Sequence, residues 1–335
     1  MATSWTLSSS DALDPQARTL LIDFAKHPAQ SLAVDDVAYV AALRANFPEF
    51  LRLAGEPEPL ASVEQAFARG PHGPIELRIY RPEMLAVPAL LVWFHGGGYV
   101  AGDLDTYDSP VRALANRCRC TVVAVAYRLA PENPYPAGIE DAYAALHWAG
   151  ARAQKLGARA VVVGGDSAGG LIAAVAAMLA RDRSGPTVSL QVLLYPDADV
   201  RPGFHYPSWQ QYDGCLLDRA AKDRQLAIYL PASVDRTQPR VSPALCAPED
   251  LRGLPPALIV TAEFDPQRDE GEEYATRLRD AGIATSLTRY PGMIHGFFQM
   301  AGKLTAGKQV IEQVAAAIAR VGANPVSVSR PNTRC

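Results

Sequence analysis

Nowhere in its 335 residues does the chain hold an unbroken apolar run approaching the roughly 18 residues that a membrane-spanning helix needs. Membrane insertion is therefore not expected. The stretch Met1-Ala2-Thr3-Ser4-Trp5-Thr6-Leu7 has neither the basic nor the apolar segment of a secretory signal, which points to the cytoplasm. An excess of one charge is also missing: 32 Lys and Arg stand against 35 Asp and Glu, a net charge of -3 with the signs interspersed. That balance offers no basic footprint for nucleic acid and no polybasic patch for lipid headgroups. A small neutral molecule is the expected partner. Cysteine is sparse, five in an odd, scattered count, which fits a reducing compartment better than a disulfide framework. Cys118-Arg119-Cys120 is spaced too tightly for a zinc pair and has no second pair beside it, so core packing is its expected use and no metal is predicted. Internal repeats are absent, and only residues 324–335, polar with two prolines, read as a mobile tail.

With 49% hydrophobic residues, the chain can bury a large core. Apolar runs bounded by turn residues predict strands over 63–68, 75–80, 90–94, 121–126, 160–164, 190–195, 257–262 and 285–289. Helical stretches fill most gaps from the third strand onward, the alternation of a mostly parallel α/β sheet flanked by helices. Residues 1–55 show helical periodicity instead, with Leu20, Leu21, Phe24, Val37, Val40, Leu43 and Phe47 as expected buried positions and Asp35-Asp36 near a helix start. Between residues 197 and 255 the chain is too long for a simple crossover. It reads as an insertion carrying one convincing helix, Asp218–Leu230.

Gly165-Asp166-Ser167-Ala168-Gly169 follows the run Ala160-Val161-Val162-Val163-Gly164 and leads into the helix-forming stretch 171–180. Alone, the pentapeptide fits a plain glycine turn equally well. Between a strand and a helix it is a candidate nucleophile elbow that lifts the Ser167 hydroxyl above a sheet. A serine hydroxyl needs a base, and such elbows are followed along the chain by an acid and then a histidine. Of six histidines only His205 and His295 follow Ser167. His205 lies in a turn-rich stretch, whereas His295 follows an expected strand and is the better base. Asp265 falls at the C-terminal end of the 257–262 strand, the edge where catalytic groups gather in α/β sheets. Asp265-Pro266 also reads as a helix start, and the two readings are compatible. Asp269 and Glu263 are its nearest substitutes. His95-Gly96-Gly97-Gly98 follows another buried strand and offers close-approaching amides for a developing oxyanion, which the Ala168 amide would complete. His95 itself is expected to brace that loop. The Lys and Ser/Thr of a phosphate-binding loop are missing, which argues against nucleotide binding.

Four ordered blocks now stand together: His95-Gly96-Gly97-Gly98-Tyr99; Tyr127-Arg128-Leu129-Ala130-Pro131-Glu132 with Pro134 and Pro136-Ala137; Gly165 to Gly170; and Asp265-Pro266 with Arg268-Asp269-Glu270 and His295-Gly296-Phe297. From about residue 60 to 320 the chain resembles the bacterial hormone-sensitive-lipase-like carboxylesterases of the α/β-hydrolase superfamily. The resemblance implies a triad of Ser167, Asp265 and His295, oxyanion donors at Gly97, Gly98 and Ala168, and a structural role for 127–137. It implies esters of short to medium acyl chains as substrates, no cofactor, an eight-stranded sheet, and room for a homodimer. It also implies a catalytic domain over 56–196 and 246–323, with a helical cap built from residues 1–55 and the insertion 197–245. Phe204, Trp209, Leu216 and Leu217 of the insertion, with Tyr206, would then line an acyl or alcohol pocket together with Tyr99, Tyr195 and Phe297; the alternative is that most of them pack the cap. Cys215 would be open to thiol reagents. An amidase, lactonase or deacetylase could use the same triad, and a ligand-binding protein could use the same scaffold.

Overall fold

The computed structural model describes residues 12–26 and 35–323, so the 324–335 tail and the Met1–Leu7 stretch lie outside the described residues. Three helices open the chain: α1 Pro15–Lys26, α2 Asp36–Asn46 and α3 Glu49–Ala54. Asp35 caps α2, its side chain accepting from the Ala38 amide. Eight strands follow, β1 Ser62–Gly70, β2 Gly73–Arg81, β3 Ala89–Phe94, β4 Thr121–Val125, β5 Ala160–Asp166, β6 Val188–Leu194, β7 Ala257–Phe264 and β8 Thr285–Ile294. All eight expected strands are present. They form one sheet in the order β1-β2-β4-β3-β5-β6-β7-β8, antiparallel from β1 to β4 and parallel beyond.

The unbroken apolar runs of the central strands have a simple cause: both faces of the sheet are covered. Along β3, Leu90, Val92 and Phe94 enter one core while Ala89, Leu91 and Trp93 enter the other. In β5, Val161 and Val163 part from Ala160 and Val162 in the same way. Helices α4 Asp108–Cys118 and, near the C-terminus, α11 Thr305–Ala323 cover the second core. Helices α5 Ala137–Arg152, α6 Ala168–Asp182 and α10 Arg268–Asp280 cover the first. Helix α6 is small and apolar all round, and every residue from Ala168 to Ala180 is buried.

The long segment between β6 and β7 contains α7 Pro207–Tyr212, α8 Arg219–Tyr229 and α9 Pro248–Leu251. Asp218 caps α8 by accepting from the Ala221 amide, so the expected helix keeps its place with a residue fewer at each end. Helix α8 meets the N-terminal helix α2: Arg224 Nε pairs with Asp36 Oδ1 at 2.8 Å, and Gln225 Nε2 donates to the Tyr39 hydroxyl at 3.0 Å. One expected core residue is misplaced. Val37 lies on the outer side of α2 and is 73% exposed, because the first turn of α2 offers its apolar side to solvent and buries Tyr39 and Val40 instead. Leu91→Ala is expected to cost about 2–5 kcal/mol in urea unfolding as a fully buried truncation, while Val37→Ala changes stability by no more than about 0.5 kcal/mol. Equal effects would contradict this division of core from surface.

Candidate active site

Strand β5 ends at Asp166, and the next residue, Ser167, adopts φ 55 and ψ -124 before α6 begins at Ala168. A non-glycine residue there is strained and persists only where its surroundings hold it. The hold is backbone: Ser167 N donates to Leu194 O at 2.9 Å, and Asp197 N donates to Ser167 O at 3.0 Å. Gly169 lies so close to β3 that a β-carbon on it would collide with the carbonyl oxygen of Phe94 and come within 2.5 Å of that of His95.

His295 Nε2 lies 2.9 Å from Ser167 Oγ, and His295 Nδ1 lies 2.8 Å from Asp265 Oδ2. With Asp265 ionised and the imidazole neutral, Nδ1–H donates to the carboxylate and Nε2 is free to accept from the serine hydroxyl. Asp265 is fully buried, and its second oxygen accepts from the Gln267 amide at 2.8 Å. Helix α10 starts three residues later, so Asp265 closes the turn before it and does not cap it. The substitutes are engaged elsewhere: Glu263 accepts from the Gly292 amide, and Asp269 accepts from Ser208 and pairs with Arg268. His205 is exposed, and its Nε2 meets the carbonyl of Pro202.

The loop after β3 carries Gly97 at φ 121 and Gly98 at φ 61 and abuts the first turn of α6, where the Ala168 amide lies next to Ser167. His95 is buried with its ring stacked on Tyr127 at 4.4 Å and Nδ1 2.7 Å from Gly96 O; burial pushes its pKa down to about 4, so it is neutral at pH 7. Tyr127 donates to His95 O at 2.6 Å, and Arg128 forks onto the buried Asp141, which ties the 127–137 segment under the loop. Asp166 was not singled out from sequence. Its carboxylate accepts from Tyr107 at 2.9 Å and from the Gly96 amide at 3.2 Å, joining the serine turn to the glycine loop. Its place inside the Gly165–Gly169 motif was the available signal.

The expected pocket residues divide. Tyr195 and Phe297 are both buried: the Tyr195 ring lies 4.8 Å from that of His295, and Phe297 packs on Tyr195 at 5.5 Å. Leu216, at φ 66, brings its Cδ2 within 4.0 Å of where a β-carbon on Gly296 would stand, next to His295, and both Leu216 and Leu217 are half-buried. Trp209 exposes no surface and spends its indole N–H on Glu270 Oε2 at 3.0 Å, so it packs the insertion instead of facing a pocket. Tyr99 is likewise buried, donating to Asp197 at 2.7 Å and stacking on Tyr229 at 4.0 Å. Phe204 is 47% exposed, so much of its ring faces solvent instead of a pocket. Cys215 is 1% exposed and burial pushes its thiol up to about 12, so attack by thiol reagents is not expected after all. Among the described residues, no group of three or more His, Cys, Asp or Glu is arranged to hold a metal ion, and no helix is long and apolar enough to cross a membrane.

A family model described as the alpha/beta hydrolase fold matches residues 91–299. The chain is 41% identical over 323 residues to the carboxylic ester hydrolase LipN of Mycobacterium tuberculosis, a match covering 93% of this chain and 85% of that relative. It is 32% identical over 317 residues to an arylesterase of Saccharolobus solfataricus, covering 91% and 97%. Among solved structures, a hyperthermophilic esterase from the archaeon Pyrobaculum calidifontis superposes with a TM-score of 0.85 at 37% identity, covering 92% of this chain and 99% of that one.

Burial raises the Asp166 carboxyl to about 7, against hydroxyl and amide donors that favour the charged form. Unfolded, it titrates near about 3.9. The folded state therefore holds the extra proton between these values, and the stability this contributes is present at low pH and lost as pH rises through about 7. Asp166→Asn removes that dependence. Relative to the parent, the variant is expected to gain on the order of 4 kcal/mol between pH 4 and pH 8, at about 1.4 kcal/mol per pH unit. Denaturant unfolding of both proteins across that range measures it, and a constant difference would show an ordinary carboxyl.

Proposed function

The chain belongs to the hormone-sensitive-lipase-like family of α/β-hydrolases and is a carboxylic ester hydrolase; on that premise we propose that it works through a covalent ester of Ser167. The observation that carries the proposal is the unbroken hydrogen-bond chain from Ser167 Oγ through His295 to the buried Asp265 carboxylate. His295 removes the hydroxyl proton as Ser167 attacks the ester carbonyl, and Asp265 holds the imidazole tautomer and stabilises the imidazolium. The amides of Gly97, Gly98 and Ala168 receive the oxyanion. His295 then protonates the departing alcohol, and water activated by the same nitrogen frees the acid from Ser167. No metal or cofactor takes part.

Short- to medium-chain acyl esters are the proposed substrates, a reading supported by the apolar side chains gathered near His295: Tyr195 against its ring, Phe297 against Tyr195, and Leu216 beside Gly296. Residues 1–55 and 197–245 form the proposed cap, a reading supported by the contacts between α8 and α2. The described cysteines, Cys118, Cys120, Cys215 and Cys246, carry no disulfide, which supports a cytoplasmic setting. Assembly as a homodimer belongs to the proposal on resemblance alone.

Ser167→Ala is expected to lower kcat on p-nitrophenyl acetate by about 10⁶-fold, the scale at which a triad serine is lost, with an unchanged thermal melt. Near-full activity in that variant would overturn the mechanism. A p-nitrophenyl series from acetate to laurate is expected to show kcat/KM falling steeply beyond medium chains. A rate that climbs steadily to laurate would point to a lipase.

A further inference from the structure

Helix α8 presents Lys222, Gln225, Leu226 and Tyr229 at helical spacing, on one face over two turns. That face lies on the loop proposed to hold the oxyanion donors. A β-carbon on Gly98 would overlap Gln225 Oε1 and come within 2.8 Å of Gln225 Cδ, so the Gln225 amide fills the space that the glycine leaves open. One turn on, Tyr229 stacks flat on Tyr99, the residue after Gly98. One turn back, Lys222 pairs at 2.6 Å with Asp197, whose other oxygen takes the Tyr99 hydroxyl. The Gln225 amide is itself oriented from outside: its Nε2 donates to the Tyr39 hydroxyl of α2, and the Arg224 guanidinium lies 4.4 Å over the Tyr39 ring. Helix α2 also reaches the loop directly, Arg44 Nε donating to Val100 O at 2.8 Å.

We propose that Gln225 is a positioning residue for the oxyanion donors: its amide, oriented by Tyr39, braces Gly98 and makes the rate of acyl transfer depend on how α8 is seated. The inference rests on the esterase reading given above. Loss of one oxyanion donor costs about 10²- to 10³-fold, and a donor that is displaced but still present costs less. The brace acts on the transition state more than on substrate binding, so its loss falls on kcat and leaves KM nearly unchanged.

Gln225→Ala is expected to lower kcat on p-nitrophenyl acetate about tenfold, with KM within about twofold. Tyr39→Phe, which keeps the ring and removes only the bond to Gln225, is expected to lower kcat about threefold, and the double variant to be no slower than Gln225→Ala, since the two residues act as one unit. Hydrogen exchange gives a readout free of catalysis: Gln225→Ala is expected to speed exchange of the amides in the 96–100 segment while those of β3 and α6 stay as protected as in the parent. Unchanged kcat together with unchanged loop exchange would overturn the proposal, and so would a rise in KM at constant kcat. If the parent protein hydrolyses no ester, the esterase reading fails, and loop exchange alone then decides whether Gln225 braces the loop.

Discussion

Backbone packs directly on backbone where β5 turns into α6, and the placement of the whole site follows from that contact. A β-carbon on Gly165 would strike the carbonyl of Gly169 and come within 2.7 Å of the Phe94 carbonyl. With no side chains between them, the first turn of α6 and the end of β3 share one layer. The turn that carries Ser167 and the glycine loop that follows β3 are thereby brought together. Asp166 reinforces the contact electrostatically, its carboxylate collecting the Gly96 amide and the Tyr107 hydroxyl from the β3 side. The strained Ser167 backbone is held by this packing and by the amide bonds to Leu194 and from Asp197.

A second constraint is a buried group of charges that joins the insertion to the catalytic platform. Lys222 of α8 pairs with Asp197 beyond β6 and faces Glu270 of α10 at 3.9 Å. Trp209, Gln267 and the Ala198 amide complete the coordination of Glu270. Burial drives the Glu270 carboxyl far above the usual carboxylate range, against the opposing pull of the Lys222 ammonium beside it. The Lys222–Asp197 pair is expensive to break, since removing either partner strands a buried charge at a cost of about 3–5 kcal/mol. Members of the group contact the Tyr99 hydroxyl, the Ser167 carbonyl and the turn that carries Asp265. The insertion is thus fastened to the glycine loop, the serine turn and the Asp265 turn.

The strands were legible because a two-sided sheet writes continuous apolar runs, and the serine turn was legible because its glycines sit where backbones meet. Strand ends were less so. Pro291-Gly292 looks like the end of β8, yet the strand continues to Ile294 because Glu263 accepts the Gly292 amide that the ladder leaves unpaired. Side-chain direction was least legible. An aromatic near the site reads as a pocket wall, but Trp209 has a buried carboxyl to satisfy and Tyr99 has Asp197, and both partners are far away in sequence. Gln225 and Tyr39 lie 186 residues apart and follow no motif, so only the folded chain brings them together.

The register at the sheet edge explains how Asp265 and His295 come to face each other. Strands β7 and β8 run in step from Ala257 opposite Thr285 to Ala262 opposite Tyr290, and then the step breaks, with Phe264 opposite Ile294. Strand β7 advances two residues across that break while β8 advances four. Had the earlier register continued, Asp265 would stand level with Met293, and His295 would lie two residues farther along. The extra pair on β8 is taken up around Pro291-Gly292, where Gly292 adopts φ 70 and bonds to Glu263. Asp265 and His295 each immediately follow the last paired residues, Phe264 and Ile294, and emerge side by side. The bulge sets the spacing of Asp265 and His295, the proposed acid and base, before any side chain chooses a rotamer. The Glu263 carboxylate that looked like a rival for Asp265 is the group that holds the bulge in place.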